Sequence, residues 1–181
     1  MKKINKEILI KFRKTTDPKK LDEMIYNFEK TMNQLNYNYF LKESENPFIY
    51  LIEYSKPEDL IKQLQQKEYE DLEIVDMMIV KCTINNLNHI IDVILKKIRN
   101  KLQYTDTYNL TCHMDSYITC YSKDEFEEIL NENLKDLIYI QQNSNNPTWN
   151  INIYIIGEIS AINITRSNKN RNKFNQYMVK T

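Results

Sequence analysis

The chain has 181 residues, 41% of them hydrophobic, and its 25 basic residues balance 25 acidic ones. That length and apolar fraction suffice for one large or two small packed domains. A formal net charge of zero excludes bulk polyelectrolyte attraction to nucleic acid or membrane, so any such role must come from how the charges are distributed. No apolar run reaches bilayer-spanning length, and the N-terminal MKKINKEILIKF lacks the apolar core and small-residue cleavage site of a signal peptide. A cytoplasmic protein is expected. Cys82, Cys112 and Cys120 show no CxxC spacing, which indicates free thiols and neither a disulfide framework nor a zinc ribbon.

In chain order, Glu7 to Arg13 (EILIKFR) reads as a first strand. Asp17 and Pro18 then open a helix, because aspartate accepts from first-turn amides and proline at the first helical position lacks a donor that would be unpaired anyway. Leu21, Met24, Ile25, Phe28, Met32 and Leu35 follow as its apolar stripe. YNYFL and FIYLIEY, separated by Asn46 and Pro47, suit an antiparallel pair. Ser55 with Glu58 reads as a capping box opening a second helix, and Glu73 to Ile84 reads as a buried strand. Strand, helix, strand, strand, helix, strand is the ferredoxin-like order, expected over residues 1–84.

A second α/β unit is expected over 85–166. Ile90, Ile91, Ile94, Leu95, Ile98 and Leu102 form a helical stripe, with Lys96, Lys97, Arg99 and Lys101 mostly off it and facing solvent. Tyr108 to His113 (YNLTCH) reads as a strand, and Ser122 with Glu125 as a capping box. The helix it opens sets Phe126, Ile129, Leu130, Leu134, Leu137 and Ile138 at core spacing. After the polar loop QQNSNNP, Ile151, Ile153 and Ile155 alternate with Asn152 and Tyr154 up to Gly157, the sole glycine. Gly157–Glu158 as a type II′ turn sets Ile153 opposite Ile162, Ile151 opposite Ile164 and Ile155 opposite Ser160. Residues 167–181 carry Lys169, Arg171, Lys173 and Lys180 with no acid and read as a basic tail, with Tyr177 available to dock back.

Catalytic constellations are scarce. One glycine cannot build a P-loop or dinucleotide-binding turn. His89 and His113 have no paired spacing, and Cys112 and His113, adjacent on a strand, point to opposite faces and do not share an ion. The loop after the first strand, KTTDPKK, has no glycine for an acylphosphatase-type phosphate site. No metal, no cofactor and no enzymatic activity are therefore expected. What remains is charge segregation. Lys2, Lys3, Lys6, Lys11, Arg13, Lys14, Lys19 and Lys20 crowd the start against Glu7 and Asp17, and basic residues crowd the end. With Phe12, Phe174 and Tyr177 among them, these ends suit either a phosphate backbone and unstacked bases or two solvated termini.

The segment NPTWNINIYIIG resembles the closing hairpin of THUMP domains, in which Asn-Pro-Asp precedes alternating aliphatics and a glycine turn. KPEDLIKQL with the strand ending VKCTI is similar to stand-alone archaeal THUMP proteins, which have an N-terminal ferredoxin-like domain and resemble the eukaryotic adaptor for tRNA cytidine acetylation. The resemblance implies RNA binding, at the acceptor-stem 3′ end of tRNA, by a non-catalytic adaptor that serves a separate modifying enzyme, with no membrane or DNA partner. Thr148 stands where the family has aspartate, and Thr111 and His113 where it often has arginine. By charge, the candidate RNA contacts are Lys11, Arg13, Lys14, Lys81, His113, Lys123, Arg166 and Lys169. The alternative is a protein-interaction scaffold that keeps the fold without RNA affinity.

Overall fold

The computed structural model describes residues 6–35, 38–66, 72–114 and 121–167. Strand β1 (Glu7–Phe12) leads to helix α1 (Pro18–Gln34), with Asp17 Oδ1 accepting from Lys19 N at 3.0 Å. Strands β2 (Phe40–Glu43) and β3 (Ile49–Glu53), helix α2 (Pro57–Gln66) and strand β4 (Ile74–Ile84) complete the first half. The second runs through α3 (Leu87–Ile98), β5 (Thr107–Met114), α4 (Lys123–Ile138), β6 (Gln141–Gln142), β7 (Trp149–Ile156) and β8 (Ile159–Arg166).

These strands form one eight-stranded sheet in the order β2-β3-β1-β4-β8-β7-β5-β6. In the first half β1 lies antiparallel between β3 and β4, and β2 antiparallel to β3, which is the ferredoxin-like arrangement. In the second, β5 and β7 are parallel across the α4 crossover and β7–β8 is the antiparallel hairpin. Its register places Ile153 opposite Ile162, Ile151 opposite Ile164 and Ile155 opposite Ser160, as the alternation dictates. Gly157 has φ 59° while Glu158 keeps a negative φ, the signature of a type II′ turn and not of type I′. A Cβ at Gly157 would lie 1.9 Å from Glu45 Cδ, so the hairpin turn meets the β2–β3 loop.

Strand β4 joins the halves. Its first part pairs with β1, and Lys81 to Ile84 pair with β8. Ile8 faces Ile79 and Lys81 faces Ile162, so by two-residue alternation all four helices cover the same face. Ile8, Ile10, Phe12, Tyr50 and Ile52 bury against α1 and α2; Leu110, Cys112, Ile151, Ile153 and Ile155 bury against α3 and α4. On the opposite face a third cluster unites Leu9, Ile49, Leu51 and Val80 with Tyr154, Ile156 and Ala161. The halves thus share a core as well as a strand.

Three local expectations change. The helix α2 begins at Pro57, and Lys56 O, not Ser55, receives the first-turn bonds from Asp59 N and Leu60 N. Proline at the first position fixes the cap one residue later, and the Glu58 carboxylate pairs with Lys6 instead. The strand β4 is only half-buried, Val80 being its one fully buried side chain, because its two ends overhang different neighbours. The loop after α4 contributes β6, whose Gln141 and Gln142 pair in parallel with Thr107 and Tyr108. Polar, exposed glutamines carry no alternation that would mark a strand. The expected tail beyond Ser167, with Lys169 and Tyr177, and Cys120 lie outside the described residues. No helix among the described residues is long and apolar enough to cross a membrane.

Candidate nucleic-acid interface

Where β4 leaves β8 to follow β1, the helix-covered face parts between α2 and α3. The parting is a cleft of about 400 Å³, floored by Ile79, Val80, Ile162 and Ile164, walled by Val93, and rimmed by Lys6, Lys81, Lys96, Lys97 and Glu58. The sequence places these cations there by simple means. Lys81 follows Val80 at the point where β4 changes partner, and Lys96 and Lys97 close the last turn of α3, where the helix dipole favours positive charge. Asn163 Nδ2 donates to Ile79 O at 2.8 Å and so bridges the parted strands.

Two of the four lysines are partly neutralised. Lys6 pairs with Glu58, which lowers the Glu58 pKa, and Lys96 pairs with Asp92 at 2.5 Å along the helix. Lys81 and Lys97 have no carboxylate ion pair among the described residues. Burial, then Lys101 and Lys6, hold the Lys97 ammonium below the usual lysine range, against a weaker pull from Glu58. Burial disfavours the charged ammonium first, and the neighbouring cations add to it.

The structure spreads the seven sequence candidates it describes widely. Lys11 sits half-buried on β1, Arg13 lies 3.5 Å from Glu73, and Lys14 is exposed beyond the strand end. Lys20 also reaches Glu73, at 3.2 Å. Lys123 is the exposed first residue of α4. His113 stacks on Tyr154 with ring centroids 4.4 Å apart, and its Nε2 lies 3.4 Å from Asn152 Oδ1. Cys112 points the other way, into the helix-side core, with burial and then Glu127 pushing its thiol up to about 12.

Arg166 is held by its own protein. Its Nη2 lies 3.4 Å from both oxygens of Asp106 and its guanidinium sits 5.1 Å from the centre of the Trp149 ring. Buried Asp106 also accepts from Trp149 Nε1 at 2.9 Å and Gln103 N at 3.1 Å. Thr148, in the position of the expected aspartate, exchanges bonds with Thr107. Lys169 is outside the described residues. Of the seven described candidates, Lys81 alone lines the cleft. Lys6, Lys96 and Lys97 escaped sequence reasoning as a site. The available signal was that a helix ending in two lysines directly follows the strand carrying Lys81.

A second surface has the opposite sign. Asp124, Glu127, Glu128, Glu132 and Asp136 line an open groove along α4 with Lys135 as its one cation. Glu127 Oε2 also accepts from Cys112 N at 2.9 Å.

No protein-family model matches the sequence, and no curated protein sequence matches it. Among solved structures, PH1313 from Pyrococcus horikoshii superposes with a TM-score of 0.71 at 11% identity, covering 88% of this chain and 54% of that one. A 4-thiouridine synthetase in complex with RNA and ATP superposes at 0.59 and 10% identity, covering 90% of this chain and 41% of the synthetase. The fold is THUMP-like. A possible methylase from Clostridium difficile 630 superposes at 0.50 and 11% identity, covering 88% and 40%. The chain spans about half the length of PH1313 and less of the other two.

These likenesses overturn the expectation of a non-enzyme, since the fold is shared with a synthetase and a possible methylase. That expectation rested on the scarcity of catalytic groups. The groups were counted over a stretch that corresponds to only 41% of the synthetase, so their scarcity does not bear on whether a protein of this fold is an enzyme.

Proposed function

We propose that this chain is an RNA-binding unit that acts in the cytoplasm, holding the acceptor-stem 3′ end of tRNA for a modification reaction whose catalytic groups lie outside the described residues, on this polypeptide or on a partner. The observation that carries the reading is the cleft between α2 and α3, where four lysines face one glutamate over an apolar floor. A phosphate entering it would relieve the repulsion among Lys97, Lys101 and Lys6 and release condensed counter-ions from the RNA. The RNA named in the synthetase complex, a protein of the same fold, supports the same ligand class. The two lobes, residues 1–84 and 85–166, would then form one surface, with the cleft at their junction.

The test is a titration of labelled tRNA at several salt concentrations, with duplex DNA as competitor. Binding should weaken linearly on a log–log salt plot, by about 0.7–0.9 per phosphate neutralised, and tRNA should outcompete the DNA. Equal affinity for both nucleic acids, or binding unchanged by Lys81→Ala with Lys97→Ala, would refute the assignment. The acidic groove along α4 favours a second reading, a protein scaffold for a basic partner. It is selected if such a partner survives nuclease treatment and tRNA does not bind.

A further inference from the structure

The outer edge of the sheet at β2 carries a hollow that belongs to neither the cleft nor the α4 groove. It lies between α1 and the outer strands and has a volume of about 390 Å³. Ile25, Leu41 and Tyr50 form its floor, Tyr26 one wall, and the exposed carboxylates of Asp22, Glu29 and Glu43 its rim. Two periods place them there. Asp22, Ile25, Tyr26 and Glu29 recur at helical spacing along one side of α1. Leu41 and Glu43, two apart on β2, lie opposite Ile52 and Tyr50 and so face the helices.

Two features set the hollow apart from an ordinary solvated surface. The first is charge without a partner. Glu7, Glu53, Glu58 and Glu73 of the same lobe each meet a lysine or arginine. Asp22, Glu29 and Glu43 have no ion pair among the described residues, and no described cation lines the hollow. Lys30 lines the adjoining hollow beyond Tyr26 and pairs with none of them. The second feature is Tyr50. It is 7% exposed and packs its ring edge-on against Phe12, with centroids 5.8 Å apart. Among the described residues its hydroxyl makes no hydrogen bond, whereas a buried tyrosine hydroxyl ordinarily finds a partner. Burial raises the Tyr50 pKa, and Glu43, Asp22 and Glu29 raise it further, so the hydroxyl ends among the acids that rim the hollow.

We infer that the hollow takes an arginine side chain from an extended segment of a partner protein, which pairs with the open edge of β2. That strand ends the sheet and, among the described residues, pairs only with β3. An outer edge offers its amides and carbonyls to a further strand. Register couples the edge to the hollow, because a residue set beside Leu41 or Glu43 projects to the same face as they do. A guanidinium suits the lining better than an ammonium, since its plane stacks on a tyrosine ring while its fork donates to carboxylate and hydroxyl together. A second copy of this chain paired through β2 does not supply the cation. Its Lys42 is held on the other face by Glu7 and Glu53. The inference is independent of the RNA reading.

The experiment titrates the whole chain, isotope-labelled for NMR, with two acetylated peptides. One alternates threonine with arginine and the other threonine with citrulline, the uncharged isostere of arginine. The arginine peptide should bind about tenfold more tightly, the effect of a hydrogen bond to a charged group, and should shift the amides of Phe40–Glu43 and of α1 around Tyr26. Asp22→Asn with Glu43→Gln should bring the ratio of the two affinities to near one. Tyr50→Phe, which keeps the ring against Phe12, should weaken the arginine peptide about threefold and leave the citrulline peptide unchanged. Equal affinity for the two peptides, or shifts centred on α4 and its acids, overturns the inference. So does a ratio that survives both variants in protein shown folded by circular dichroism.

Discussion

The lysine cleft and the acidic groove of α4 lie on one face of the same sheet with opposite sign. Each is formed differently. The groove's acids, Asp124, Glu127, Glu128, Glu132 and Asp136, belong to a single helix, so the sequence itself aligns them. The cleft's lysines come from the N-terminus, β4 and α3, and only strand pairing brings them together. A net charge of zero therefore conceals a two-signed surface, and composition alone cannot see it. The comparison also separates acids by role, since the carboxylates that most affect folding are not the ones that shape the field.

Asp106 should show that most strongly. Asp106→Ala would leave the buried Trp149 Nε1 and Gln103 N without an acceptor and release Arg166, for a loss of about 2–4 kcal/mol measured by urea denaturation. No single charge reversal on the α4 groove should approach that. Next in size, Lys81→Ala and Lys97→Ala should each weaken tRNA binding roughly fivefold at 0.1 M salt and reduce the salt slope by about 0.7–0.9, with no change in the denaturation midpoint beyond that of an ordinary surface substitution.

Ser122→Ala removes the hydroxyl that accepts from Glu125 N and should cost about 1 kcal/mol, again by urea denaturation. In the native protein the Ser122 amide and hydroxyl hold the Glu125 carboxyl below the usual range. Its ionised form is thus favoured in the folded state, so the stabilisation is present above the unfolded value and fades as pH falls through the lowered folded one. Ser122→Ala should flatten that acid limb.

Lys97 tests the cleft by pH. Its ammonium is disfavoured in the folded protein, so it loses its proton at lower pH than an ordinary lysine, and tRNA affinity should begin to fall below the usual lysine range. Lys97→Arg, which stays charged, should remove that early decline. The smallest effect is expected from Glu128→Lys with Glu132→Lys, less than about twofold on tRNA affinity, because these charges line a separate groove that shares no residue with the cleft and salt screens charges in open solvent. A large gain there would mean that the RNA path crosses α4 and would break the contrast between the two surfaces.

What was legible in the sequence was local. The register of β7–β8 follows from alternating isoleucines and one glycine, and the Ser122–Glu125 box forms with both of its bonds. Asp17 caps α1 for the same reason. The Ser55 box fails because Pro57 moves the helix start, a competition between two local rules. Convergence at long range was not legible. Nothing in the order of residues says that β4 divides its ladder between β1 and β8, that Arg166 finds Asp106, or that Lys6 finds Glu58 across 52 positions. The alignment of Asn109 on β5, Asn150 and Asn152 on β7 and Asn163 on β8 hid for another reason, since an asparagine-rich composition makes each asparagine look incidental until three strands align them.

One ribbon of eleven residues, β4, serves both lobes at once. A truncation at residue 84 would strip β8 from its end and uncover Leu9, Leu51 and Val80, so the isolated N-terminal fragment should stick to itself through that bare edge and greasy patch. The lobes are better regarded as Siamese twins than as beads on a string, and a grip that spans their seam has little freedom to open or close by swinging one against the other.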